Sequence, residues 1–114
     1  MVKAVNPPAE PAPPVADDLR RLEQNAIKVC ELLSAMANPA RLMILCQLAE
    51  GERSVSDMQP GVGLSQSALS QHLAILRSKR LVQTRRAGQS IYYSLASDEA
   101  ASLMHTLHEQ FCKD

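Results

Sequence analysis

The sequence predicts a mainly α fold that carries one β-hairpin as a wing. Apolar residues recur at helical spacing over most of residues 17–112, and residues 82–95 change to a period of two. The length of 114 residues suits one domain and leaves no room for a second. Only 3% of residues are aromatic and none is Trp, so the core must come from Leu, Ile, Val, Met and Ala. The longest apolar runs reach four or five residues, against about 18 for a span, so no membrane partner is expected. No long apolar region follows Lys3, and no signal peptide is expected.

Residues 1–16 hold five of the seven prolines, mixed with Ala and Val. Proline supplies no backbone donor, and no periodic face offsets the entropy of ordering. This stretch is expected to be a disordered tail, with residues 17–114 as the folded domain.

Asp17 or Asp18 is placed to cap a first helix reaching about Ala37. Its Leu19, Leu22, Ala26, Val29, Leu33 and Met36 form one apolar stripe. Asn38-Pro39 breaks that helix, and Pro39 suits the first turn of a second, Pro39 to Glu50. This second helix presents Leu42, Leu45 and Leu48, flanked by Ile44 and Cys46, and Gly51 ends it. Ser54 caps a short third element, Val55 to Gln59, which Pro60-Gly61 is expected to cut off. Ser65 caps a fourth helix, Gln66 to about Lys79, with Leu69, Leu73 and Leu76 toward the core. Residues 82–86 and 89–95 then alternate as strands around Ala87-Gly88. Ile91, Tyr93 and Leu95 share one face of this hairpin, and Tyr92 takes the other. A last helix, Ser97 to about Cys112, carries Ala100, Leu103, Met104, Leu107 and Phe111 in one stripe.

The 12 basic and 12 acidic residues balance, which argues against a strongly basic nucleic-acid binder. Their placement argues the other way. Residues 58–97 contain Arg77, Lys79, Arg80, Arg85 and Arg86 and no acid, a local charge of +5, while the remainder sums to −5. Phosphate contacts need local positive charge, whatever the total. Within this block a short helix, a turn and a polar-faced helix make a helix-turn-helix pattern. Gln66, Ser67, Ser70, Gln71 and Arg77 face outward, where Ser and Gln reach base edges in a major groove. His72 lies beside them, within reach of phosphate or of the core's edge. The hairpin tip adds Arg85, Arg86 and Gln89 against phosphate or in the minor groove. A solvated surface helix is the plainer reading of the Ser and Gln residues alone. The consecutive polar helix, acid-free block and Arg-tipped hairpin favour double-stranded DNA as partner.

Leu64-Ser65-Gln66-Ser67-Ala68-Leu69-Ser70-Gln71-His72-Leu73, followed by Leu81-Val82 and Arg85-Arg86-x-Gly88-Gln89-x-x-Tyr92-Tyr93-Ser94-Leu95, resembles the ArsR/SmtB family of winged-helix repressors. The preceding Met36-Ala37-Asn38-Pro39-x-Arg41-Leu42-x-Ile44-Leu45 is similar to the same family, and the resemblance covers about residues 19–112. It implies a winged helix-turn-helix in a cytoplasmic homodimer built by the first and last helices, which here offer Leu19, Leu22, Ala26, Leu103, Leu107 and Phe111. It also implies binding to an imperfect inverted repeat in a promoter, with release by an inducer. The two end stripes agree, since the winged core cannot cover both.

The thiols are Cys30, Cys46 and Cys112. No CxxC is present, which speaks against a thioredoxin-like dithiol. Metal sensors of the resembled family carry Cys-x-Cys in the third helix, where this chain reads Ser54-Val55-Ser56-Asp57. His105 and His108 lack the early Asp-x-His partner of its last-helix zinc sites, so no metal and no cofactor are expected. Cys46 and Cys112 are instead similar in placement to the thiol pair of the family's persulfide- and redox-responsive branch, whose members include virulence and biofilm regulators. That resemblance implies release from DNA when reactive sulfur species or an oxidant link the pair. The plainer reading of Cys46, beside Leu45 and Leu48, is a small buried hydrophobe. Cys30 is expected to pack at or near the dimer interface. The alternatives are a repressor of the same fold sensing a metal through non-standard Cys/His ligands, and a small thiol enzyme or sulfur carrier, for which no acid/base pair is present.

Overall fold

The computed structural model describes residues 16–112. The proline-rich tail lies outside the described residues except for Ala16, which opens the first helix. Five helices and three strands follow: α1 (Ala16–Met36), α2 (Pro39–Glu50), β1 (Arg53–Ser54), α3 (Val55–Val62), α4 (Gln66–Ser78), β2 (Val82–Ala87), β3 (Ser90–Leu95) and α5 (Asp98–Phe111).

Side-chain caps set most helix starts. Asn38 accepts from the Arg41 backbone N–H at 3.0 Å, with Pro39 in the first turn of α2. Ser54 and Asp57 form a reciprocal capping box at α3, and Ser65 and Ser97 accept from Ala68 and Ala100. The sharpest departure from expectation is α3, which continues through Pro60-Gly61 to Val62. Pro60 and Ser56 are both exposed, so the Ser56 carbonyl that loses its helical donor meets water. Gly61 faces the end of the Gln47 side chain, whose amide donates to the Met58 carbonyl at 3.3 Å.

The sheet is antiparallel in the order β1-β3-β2, with Thr84 opposite Tyr93 and Arg85 opposite Tyr92. The hairpin turns at Gly88-Gln89, one residue later than expected; Gly88 supplies the positive φ of 63° at the first turn position. The two-residue β1, pairing Arg53 with Tyr93, is an element the sequence pattern does not announce.

The core gathers Ile44, Leu45, Met58, Leu69, Leu73 and Leu76, all closed to solvent, with Leu81, Val82, Ala100 and Met104 around them. Helix α1 joins it only through its last turns: Ala35 and Met36 are buried and Leu32 packs alongside. The radius of gyration, 16.6 Å, exceeds the ~13 Å typical of a compact chain of this size. The body measures 51 × 35 × 21 Å.

Arg80 follows α4 in the left-handed region at φ 62°, where glycine is favoured, and its N–H bonds back to the Arg77 carbonyl. Arg80→Gly is therefore expected to raise the unfolding free energy by about 0.5–1 kcal/mol. Leu73→Ala is expected to lower it by about 2–5 kcal/mol. Urea titrations of the two variants, moving the midpoint in opposite directions, check both.

Candidate nucleic-acid interface and thiol pair

Helix α4 divides by face. Leu69, Leu73 and Leu76 are fully buried, whereas Gln66, Ser67, Ser70, Gln71 and Arg77 are exposed along the opposite side. These are the spacings that the 3.6-residue period places on one stripe. His72 is half-buried at the edge of that stripe, its Nδ1 facing the Arg41 guanidinium at 3.5 Å. Arg41 in turn donates through Nε to the Ala35 carbonyl at 2.7 Å, tying the end of α1 to α2 beside α4.

The wing arginines lie on opposite faces of the hairpin. Arg86 pairs in register with Ile91 on the side shared by Val82, Thr84 and Tyr93; Arg85 pairs with Tyr92 on the other. Arg85 is engaged there: Nη2 and Nε donate to the Glu52 carboxylate at 2.6 and 3.0 Å. Its guanidinium carbon also stands 5.1 Å from the Tyr92 ring centre. Arg86 makes no ion pair among the described residues, and Gln89 is exposed at the tip. Sequence inspection missed Glu52, because it lies 33 positions from Arg85 and outside the basic block. Tyr92 signals its side by alternation alone.

Residues 38–84 match the arsR family of bacterial regulatory proteins. The transcriptional activator HlyU of Vibrio cholerae is 46% identical over 96 residues, which are 84% of this chain and 89% of that protein. The chain belongs to the ArsR family. The biofilm growth-associated repressor of Agrobacterium fabrum is 44% identical over 82% of this chain and 80% of its own length. Among solved structures, reduced HlyU from Vibrio cholerae superposes with a TM-score of 0.78 at 46% identity, covering 82% of this chain and 99% of that one. The repressor BigR from Xylella fastidiosa gives 0.78 at 38% identity, covering 84% and 98%. This ArsR chain is thus a winged helix-turn-helix transcriptional regulator.

In this ArsR chain the three cysteines are free thiols. Cys46 is half-buried on α2, and Cys112 is exposed as the C-cap of α5, which packs against α2. Burial, then the nearby Cys112 and Glu50 charges, push the Cys46 thiol above its ordinary value. Cys30 is exposed on α1 and lines a groove with Ile27, Ile75 and Lys79. Among the described residues no three His, Cys, Asp or Glu side chains converge to hold a metal. No single described helix is long and apolar enough to cross a membrane.

The expected dimer stripe divides. Leu19, Leu22 and Phe111 are exposed, Phe111 at 81%, and Ala26 is exposed with them. Leu103 and Leu107 are half-buried against the protomer's own core. Ile27, 76% exposed, joins the open face without having been expected there.

Hydrogen bonds from Arg85 hold the Glu52 carboxyl below the usual carboxylate range. The pair is accordingly intact above the ordinary carboxylate pKa and is lost as pH falls through the lowered value. NMR is expected to follow the Glu52 carboxyl carbon and the Tyr92 ring to a common midpoint. In Arg85→Gln the Glu52 midpoint should move up.

Proposed function

We propose that the chain acts as a homodimeric repressor on an imperfect inverted repeat in promoter DNA. It leaves that site when Cys46 and Cys112 become linked by reactive sulfur species or an oxidant. The packing of α5, which Cys112 caps, against α2, which carries Cys46, carries the reading. The likeness to a biofilm growth-associated repressor supports repression as the output. Such a regulator works in the cytoplasm, where the promoter is.

Exposed Leu19, Leu22, Ile27 and Phe111 support an α1/α5 dimer, since an apolar surface of that extent calls for a partner. Ala26 and the outer edges of Leu103 and Leu107 complete that interface, and Cys30 becomes covered nearby. Two-fold symmetry then sets the two α4 helices about 34 Å apart, one turn of DNA. Gln66, Ser67, Ser70, Gln71 and His72 address the major groove. Arg77, Arg86 and Gln89 take phosphate or the minor groove, and Arg85 belongs to the same wing.

Cys112 is exposed and Cys46 half-buried, so Cys112 attacks first. Its thiolate takes the outer sulfur of a persulfide R–S–SH, giving Cys112–S–SH and releasing RS⁻. Cys46, deprotonated, attacks the Cys112 Sγ and expels HS⁻, leaving a disulfide: two thiols are oxidised and the sulfane sulfur is reduced to sulfide. A second equivalent of donor lengthens the Cys112 adduct before closure, and the bridge then retains one sulfane atom. With peroxide, a Cys112 sulfenic acid forms and water leaves on closure. The bridge ties α5 to α2 and shifts the two-state dimer toward its DNA-free arrangement.

Anisotropy titration on the promoter upstream of the chain's own gene, with intact mass in parallel, tests this reading. Reduced protein is expected to bind, and complete bridging to weaken binding by about 5- to 150-fold. Cys46→Ser and Cys112→Ser are expected to bind as reduced wild type does and to stay bound in polysulfide. Retained affinity after complete Cys46–Cys112 bridging overturns the switch. Release by Zn²⁺ that a chelator reverses replaces it with metal sensing.

Glu50→Gln removes one of the charges that raise the Cys46 thiol. Stopped-flow closure of the bridge at neutral pH is expected to be faster in this variant than in wild type.

A further inference from the structure

We propose that Glu52 is a positioning residue for DNA binding, which sets the wing through Arg85 and leaves Arg86 as the wing's phosphate ligand. The proposal rests on the DNA-binding reading above and adds a division of labour between two adjacent arginines.

Geometry carries it. Gly51 ends α2 at φ 150°, a value that favours glycine, and the chain turns there into β1. The acids on either side of Gly51 then take different partners. Glu50 pairs with Arg53 at 3.6 Å, and Glu52 receives both donors of Arg85. In the sheet order β1-β3-β2 the Glu52–Arg85 bridge spans the central strand from the β1 side to the far edge. Tyr92, opposite Arg85 on β3, lies under the span. The bridge is thus a strap across the full width of the wing, anchored in the turn that leaves α2.

An exposed ion pair is commonly worth little, but a bidentate guanidinium–carboxylate pair stacked on an aromatic ring is the favourable exception. Arginine is required for it, because an ammonium group has neither the two-pronged donor nor the flat face. The consequence for DNA is electrostatic. The Glu52 charge cancels that of Arg85, and Arg86 on the opposite face keeps its own. Each protomer's wing therefore offers one uncompensated arginine to phosphate, and a dimer offers two.

Affinity for the promoter duplex, measured from about 50 to 200 mM salt, separates the roles. Loss of two phosphate contacts per dimer in Arg86→Gln is expected to flatten the log–log salt slope by about 1.8. Arg85→Gln and Glu52→Gln are expected to weaken binding severalfold while keeping the wild-type slope, and the double variant to be no weaker than either single one. Arg85→Lys, which preserves charge and loses the strap, is expected to behave as Arg85→Gln does. The exchanged pair E52R/R85E is expected to recover binding to within about threefold of wild type, where R85E alone is poor. A slope flattened by Arg85→Gln as much as by Arg86→Gln overturns the proposal, as does an exchanged pair no better than R85E. A wild-type chain that binds no duplex overturns this proposal and the DNA-binding reading together. Normal wild-type binding with flattening in Arg85→Gln overturns this one alone. Far-UV circular dichroism and urea midpoints of each variant separate a displaced wing from lost fold.

Discussion

Burial of the inner face of α2 is the interaction on which the other parts depend. Ile44 and Leu45 are closed to solvent, and Leu48 is nearly so, beneath neighbours from α3, α4 and the sheet. Each such side chain contributes about 1.5–3 kcal/mol by leaving water. Together they match the net stability of a small domain, about 5–15 kcal/mol. The polar residues of this helix then reach outward in several directions. Arg41 holds the end of α1 and faces His72, Gln47 bonds α3, and the turn after Glu50 delivers Glu52 to the wing. Cys46 sits on the same helix, half-buried against the core. A covalent change at Cys46 therefore acts on an element in contact with both proposed DNA-reading parts.

Rigidity in the middle contrasts with unfinished surface at the ends. Helix α1 is 21 residues long, yet only Ala35 and Met36 are buried within the protomer. A long amphipathic helix gains little from its own propensity and relies on covering its apolar face. Leu19, Leu22 and Ile27 are uncovered, as is Phe111 at the far end of α5. The elongated outline follows from the same geometry. In the proposed dimer the partner supplies the missing cover, which joins assembly and stability in one equilibrium.

Much of this was legible in the residue order. Ser54 and Ser65 cap the helices that their positions announced, because a capping side chain bonds the backbone three residues on, whereas Asp17 and Asp18, expected as caps, fall inside the first turn of α1. The buried stripe of α4 and the alternation of β3 followed from their periods. What stayed hidden depends on contacts distant in sequence. Strand β1 is two residues long and exists only because β3 pairs with it. Helix α3 passes Pro60 on a turn that faces water, a fact of packing and not of propensity. The expected stripe of α1 was real as a pattern, but periodicity does not say whether a face meets its own core or another chain. Glu52 escaped notice for the opposite reason: counting charge along the chain assigned it to the acidic remainder, while folding sets it against the basic wing.

That last point bears on how a chain of zero net charge grips a polyanion. Salt-dependent affinity counts cations that displace counterions, and a guanidinium already saturated by a carboxylate displaces none. The +5 read from residues 58–97 therefore overstates what that block presents. In the proposed division, Arg85 gives up its charge to fix the wing's angle, and the ordered wing then presents Arg86 without the entropy of a loose hairpin. A rigid wing with one uncompensated arginine makes its phosphate contact with less entropy lost than a loose one would. It is, however, more sensitive to where the wing is held. In the proposed switch, where a small shift near α2 releases DNA, that sensitivity is the useful property: displacing the strap's anchor moves the remaining contact as a unit.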